Sequence, residues 1–546
     1  MTLSPVSAVV SLLSTPCYDL LPPFIKPFFV SHAFIPNPAS KSIPLGGALT
    51  PPLTYFLALF LLSSPAPSLP TKVLRDVLAF ISGVTFFLLP YRYYVPGSAI
   101  FTYQLGLIGC FGSARVIDIF FLSRPRVPKR IQIPQKGATS EGTIEGYLRK
   151  PELGHEEASL NETERDGRVY PHTDNLAWKT SPVPTSFFGR IWWSVDLMIS
   201  MRGIGWDFAS ADVRHDISPW QPPSRRQLKR AASMIFPAFA VSVIMHESQA
   251  DLQTRPSIID IPMALRPVMV LATGIALYTL FDCGYTVASA VLLPLLRTSA
   301  NLTDVSLHNV DFFPLLNPLK LTEICSVRSF WSKAWHRLFH RAWLVFGILP
   351  VQNLALYFFP KDNAKILSPA SHPDPGRLLP KGTHDWAKVL GAFAASGLVH
   401  GISERAALGG RIALPANNLW LKAGWGTTHR GAPDLASTAG LAGREELGGK
   451  LSVTRLVPPF SGGGEATFFV LNGVAVLVEG AFNLWIRKQR KRKAEAKRQN
   501  DEELERPYDR YVGLAWAVVV LLWSGEAFVE GWIKSGIMAE LTFAPH

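Results

Sequence analysis

The sequence predicts an all-α, polytopic integral membrane protein with about eight to ten transmembrane helices, given roughly 20 apolar residues per crossing. Three observations carry that expectation. Of 546 residues, 48% are hydrophobic and 17% are charged, with a mean hydropathy of +0.18; soluble domains carry roughly 25% charged residues. Apolar runs long enough to cross a bilayer core recur along the chain. The cations behind the net charge of +13 cluster beside those runs, as cytoplasmic loops do, which explains the charge better than a nucleic-acid surface.

Taken in order, residues 1–122 hold N-terminal spans at 47–64, 73–90 and 97–122, preceded by a weaker stretch at 4–25 that Pro5, Pro16, Pro22 and Pro23 interrupt. No basic-apolar-cleavage pattern opens the chain, so insertion through the first spanning helix is expected rather than removal of a signal peptide. Residues 123–186 are polar, with prolines and Glu-rich runs, and read as a cytoplasmic loop. The central region, 187–405, contains an amphipathic stretch at 187–206 and spans at 228–246, 342–360 and 384–403. Its run 264–296 is too long for one upright helix, so it is either tilted or broken near Asp282 to Gly284. Residues 406–465, rich in Gly, Ala and Pro, read as a second loop. The C-terminal region 466–546 holds spans at 466–486 and 512–533, joined by the charged connector 487–507, which the positive-inside rule places in the cytoplasm. Neither a fixed 20–50-residue repeat nor a duplication of halves is visible, against a solenoid and against many transporters.

Chemistry concentrates in an aromatic-basic box, Ser329 to Trp343. As one helix of 3.6 residues per turn it would place Trp331, Trp335, Leu338 and Ala342 on one face, His336, His340 and Trp343 on the next, and Lys333, Arg337 and Arg341 on a third. Such a helix suits a membrane surface, with its cations towards phosphates. Cations on both sides of 342–360 conflict with a simple crossing. A re-entrant or broken helix would resolve that, and such elements occur only where they line a protein cavity.

His400 lies in an apolar stretch, where an ionisable group is costly and marks a functional candidate. Neutral imidazole, with an ordinary pKa of about 6.5, suits proton removal near neutrality; a hydrogen-bonded structural histidine is the plainer alternative. His336 is the second candidate, as a donor to a developing oxyanion or as an ordinary interfacial residue. With His340 it makes half of a metal site, but no third ligand completes HExxH, and no metal or bound cofactor is expected. His246 and Asp251 have the H-x4-D spacing of glycerolipid acyltransferases. The companion Glu-Gly-Thr at 141–143 precedes them instead of following, so coincidence is the better account. There is no Gly-x-Ser-x-Gly elbow. Arg202-Gly-Ile-Gly-Trp206 reads either as a turn admitting a ligand to the backbone or as a helix C-cap. Glu479, Glu526 and Glu530, inside apolar runs, are read chiefly as helix-to-helix hydrogen-bonding groups. Cys17, Cys110, Cys283 and Cys325 form no CxxC pair. Sequons at Asn161 and Asn301 allow a glycoprotein, although the first falls in a loop assigned to the cytoplasm.

Arg202 to Trp206, Pro314 to Leu319, the box from Ser326 to Arg337, and Ser396 to Gly401 together, in this order along roughly 187–405, resemble the wax-synthase-like branch of the membrane-bound O-acyltransferases. That branch includes plant long-chain-alcohol acyltransferases and fungal enzymes that acetylate terpenoid or meroterpenoid metabolites. The resemblance implies an intramembrane reaction chamber, open to acyl-CoA from the cytosol and to a lipophilic alcohol from the membrane, in a multi-pass protein of the endoplasmic reticulum. It implies His400 as the base and His336, at a position where the family often has Asn, in support. Trp331, Trp335, Lys333, Arg337, Arg341, Arg202 and Trp206 are then the residues expected to bind acyl-CoA or acceptor. Acetyl-CoA as cosubstrate is expected on this analogy alone. A long-chain wax synthase or sterol acyltransferase is the alternative within the class, and a transporter of a lipophilic metabolite the alternative outside it.

Overall fold

The computed structural model describes residues 40–123, 127–130, 181–201, 203, 206–209, 258, 263–278, 324–335, 338–360, 384–408, 412–415, 451–454, 463–497 and 508–541. The expected spans 4–25 and 228–246, the second half of 264–296, His246 and Asp251, both sequons and Pro314 to Leu319 lie outside these residues, as do Arg202, His336 and Arg337.

Helices α1 (Leu45–Leu62), α2 (Leu69–Arg92) and α3 (Ala99–Ile117) follow one another through short turns. Ser68 and Ser98 begin the second and third by accepting from the backbone N–H of Thr71 and Phe101. Two-residue strands β1 (Lys41–Ser42) and β2 (Tyr93–Tyr94) pair in parallel across the start of this unit. The amphipathic helix expected at 187–206 is α4 (Phe187–Ile199), capped by Ser186 and packed on α1. Helix α5 (Arg266–Tyr278) is the described part of the long apolar run. The short helix α6 (Val327–Ser329) opens with a reciprocal Ser326–Ser329 capping box. Helix α7 (His340–Phe358) follows, then α8 (Asp385–Ala407), α9 (Gly463–Lys497), α10 (Asp509–Ser535) and the short α11 (Ile537–Leu541).

Among the described residues, six helices are long and apolar enough to cross a membrane: α1, α2, α3 with its extension to Leu122, α7, α9 to Arg492, and α10. The molecule is an all-α polytopic membrane protein. Helix α8, expected as a span at 384–403, is as long as the others but falls outside the six. It packs against α3, α7 and α9, with fewer contacts to α10, so protein rather than lipid surrounds much of it. That placement tolerates Ser396, His400, Ser403 and Glu404. Within the loop expected at 406–465, β3 (Ile412–Pro415) pairs antiparallel with β4 (Leu451–Thr454).

The box is not the single α-helix that the 3.6-residue spacing predicts. Beyond α6 the backbone runs as a π-helix over Phe330–Ala334, and at Trp335 it turns extended (φ −84°, ψ 163°). It becomes helical again from His340 and is π-helical once more over Trp343–Ile348. A π turn closes i→i+5 rather than i→i+4 hydrogen bonds, so the three faces read from α-periodicity do not persist. The break lies against a cavity that Trp335 lines; α7 beyond it is still long and apolar enough to cross. Close contact between α7 and α8 is made possible by facing glycines. A Cβ on Gly347 would stand 2.3 Å from the Gly391 carbonyl oxygen, and one on Gly391 would stand 2.5 Å from that of Gly347.

Candidate active site

The cavity holds about 1280 Å³ and is bounded by α1, α2, α3, the end of α4, α5, the box, α9 and α10, with His400 of α8 on its wall. Its lining is overwhelmingly apolar, with few polar groups, among them Tyr103, Gln104, Arg115, Tyr278 and His400. Trp331, Trp335, Leu338 and Phe339 supply the contribution of the box.

His400 is held from one side. Its Nδ1 lies 2.7 Å from Glu465 Oε2 and 2.8 Å from the Tyr103 hydroxyl, and Tyr103 donates to the same carboxylate oxygen at 2.6 Å. The second carboxylate oxygen accepts from Trp532 Nε1. Every contact therefore asks Glu465 to accept, which assigns a proton to Nδ1 and leaves Nε2 as the nitrogen turned away from the carboxylate. The ring of Phe469 covers one face of the imidazole at 4.6 Å. Glu465 is fully buried, while the His400 side chain keeps 17% of its surface accessible, so the pair is sealed behind and open towards the cavity.

The carboxylate is itself fixed by local structure. Glu465 lies in the first turn of α9, where the helix dipole favours negative charge. Glu404, one turn beyond His400 on α8, accepts from the backbone N–H groups of Gly464 (3.3 Å) and Glu465 (2.8 Å) and so caps α9. Gly531 makes room for that cap, since a Cβ there would lie 2.6 Å from a Glu404 carboxylate oxygen. Helix α8 thus sets the position of both partners.

The other expected site residues divide. Trp331 lines the cavity and donates its indole N–H to Asn472 Oδ1 at 3.1 Å; Trp335 lines it beside Phe330. Arg341 departs from the expected basic face. It is 4% exposed and makes a bidentate pair with Asp118 at 2.8 and 2.9 Å, with a further bond to the Phe208 carbonyl. A guanidinium so engaged braces α7 against the end of α3 rather than facing a soluble phosphate. Trp206 departs as well: it is fully buried among Trp193 and Phe208, packs under Arg130, and lies away from the cavity lining. The turn expected around it is present, with Gly203 at φ +77° accepting from Trp206 N, and it shapes the core rather than a ligand site. Of Lys333 the backbone alone is described. Glu479 and Glu526 behave as helix-to-helix groups, binding Val327 N and approaching Arg266 at 3.9 Å, whereas Glu530 binds Ile258 N and pairs with Lys534 of its own helix.

Residues 314–416 match the family model described as Membrane bound O-acyl transferase family. The match covers α6, the box, α7 and α8, including His400, and supports a membrane-bound O-acyltransferase. No curated protein and no solved structure matches the chain. Glu465, Tyr103 and Trp532 lie outside the segment matched to the O-acyltransferase family and were not singled out from sequence. A carboxylate at the start of an apolar helix, directly after Gly462 to Gly464, is the sign that could have drawn attention to Glu465.

Proposed function

We propose that this chain is an acyl-CoA-dependent O-acyltransferase that transfers acetyl from acetyl-CoA to a hydroxyl of a lipophilic secondary metabolite, terpenoid or meroterpenoid in character, in the endoplasmic reticulum membrane. The family match supports the acyl transfer. The observation that carries the reading is the buried Glu465 holding His400 at the edge of a large apolar cavity.

In this mechanism His400 Nε2 accepts the proton of the acceptor hydroxyl as the oxygen attacks the thioester carbonyl carbon. Collapse of the tetrahedral intermediate breaks the C–S bond, and the departing CoA sulfur takes the proton back from His400. Glu465 keeps Nδ1 protonated throughout and offsets the charge of the imidazolium, as the carboxylate of a Ser-His-Asp triad does. Trp331 and Trp335 wall the acyl position, His336 serves the oxyanion, and Lys333 and Arg337 meet CoA phosphates. Arg341 and Trp206 take structural roles instead.

One observation favours a second donor: the cavity exceeds the ~300–1,000 Å³ of common ligand pockets, so a long acyl chain fits beside an acceptor. The test is acyl transfer to a lipophilic alcohol by microsomes containing the wild type or His400→Ala, with labelled acetyl-CoA and palmitoyl-CoA in parallel. Loss of at least about 10²-fold of activity at unchanged protein level is expected for the variant, with acetyl-CoA the better donor for the wild type. Undiminished turnover removes His400 from the mechanism, and a preference for palmitoyl-CoA moves the enzyme to the wax and sterol ester class.

A further inference from the structure

Arg115 lies in the same cavity as His400 and plays no part in the chemistry above. It is 5% exposed, its Nη2 makes one long bond to the Ser200 carbonyl (3.3 Å), and its guanidinium stacks on Phe208 at 4.1 Å. Its Nε and Nη1 have no hydrogen-bond partner among the described residues. Neither has the buried Tyr55 hydroxyl, which stands close to the guanidinium without reaching hydrogen-bond geometry and lines the same cavity. Two unpaired N–H groups on a buried cation, with an unpaired hydroxyl beside them, are costly unless something binds there.

The local charge says what that is. Asp118 is the neighbouring anion, and Arg341 already binds both of its carboxylate oxygens. Two guanidiniums and one carboxylate leave one net positive charge. Arg115 is the one permanently charged residue on the described cavity wall. A single negative charge neutralises the cluster, whereas the several phosphate charges of a CoA nucleotide would leave a large unbalanced negative charge in an apolar wall.

Helix α3 supplies a ruler. Tyr103, hydrogen-bonded to His400, and Arg115 stand twelve residues apart on this one helix, about 18 Å along its axis at ~1.5 Å per residue. Between them Gln104, Leu107, Ile108 and Phe111 line the cavity. We propose that Arg115 and Tyr55 form a carboxylate subsite at the far end of the chamber, selecting a long lipophilic hydroxy acid whose hydroxyl lies at His400. This names the acceptor class and rests on the acyl-transfer reading for the fate of the hydroxyl, but not for the binding itself.

The test uses the full chain purified in detergent with ω-hydroxypalmitate, its methyl ester and palmityl alcohol, read by equilibrium binding and by transfer of label from acetyl-CoA. The acid should bind the wild type at least about tenfold more tightly than its ester, as loss of a charge-assisted contact implies. Arg115→Met should erase that preference and Tyr55→Phe should reduce it. Should Arg115→Met fail to fold, Arg115→Gln and the wild-type acid-to-ester ratio remain decisive. Equal binding of acid and ester to the wild type overturns the proposal, as does a preference that survives loss of the guanidinium. An Arg115→Met effect confined to the KM for acetyl-CoA also overturns it and assigns the arginine to CoA phosphate. Selective binding of the acid without any acyl transfer keeps the subsite and sinks the acyltransferase reading, so the two failures are distinguishable.

Discussion

At the scale of single residues, one carboxylate and one imidazole divide the labour. Glu465 is buried and saturated with donors, so its role is to fix the tautomer of His400. Glu465→Gln puts an amide where the imidazole N–H and the Tyr103 hydroxyl both donate. We expect kcat to fall about 10²- to 10⁴-fold with KM for acyl-CoA little changed; an unaltered kcat would reduce Glu465 to a packing residue. Arg341 gives the opposite prediction. Breaking its buried pair with Asp118 should cost about 3–5 kcal/mol of stability, seen as earlier thermal unfolding of Arg341→Met, with the residual folded enzyme retaining its KM for acyl-CoA. A raised KM at unchanged stability would restore Arg341 to the phosphate-binding face. His400 was legible because an ionisable group interrupts an apolar run. Glu465 was not, because it stands where a Gly-rich segment meets a span and reads as loop polarity. Arg115 and Asp118 also sit inside an apolar run and carried the same sign as His400; only their partners, set by folding, tell the structural cation from the one facing the cavity.

At the scale of elements, α8 organises the site because it can be approached closely. The Gly347–Gly391 contact lets α7 and α8 meet backbone to backbone. Gly391→Ala would force them apart at a fully packed crossing, for an expected cost of about 1–3 kcal/mol; thermal unfolding in detergent measures it, and an unchanged midpoint would show that the crossing has slack. The spans were readable since length and apolarity alone define them: α1, α2, α3 and α10 fall within about five residues of their expected bounds, whereas α9 starts near its expected bound but stays helical to Lys497, eleven residues into the expected connector. The box was misread in shape: its residue types suggested a helix at a membrane surface, whereas Trp331 and Trp335 line the cavity. Nothing in apolar periodicity distinguishes i→i+4 from i→i+5 bonding, so the break at Trp335 and the π turns on either side were invisible.

At the scale of the molecule, the exposed surface records its solvent. Phe80, Phe87, Phe101, Val519 and Trp523 project outward from spanning helices, as lipid-facing residues do. Alkaline carbonate should therefore leave the chain in the membrane pellet, and its release to the supernatant would contradict the six spans. Helix α9, with 35 residues, is about 52 Å long against a hydrocarbon core of ~30 Å, so its basic end stands clear of the bilayer while Glu465 marks the other end. The π turns at 118–122, 330–334 and 343–348 carry a consequence for how this chain can change over generations. A π turn is an α-helix with one residue too many, and deleting that residue would swing everything beyond it by about 100° around the axis. Exchanges of one side chain for another are open to drift along these turns; a gain or loss of one position there is not, and related chains should differ around the box in spelling far more readily than in length.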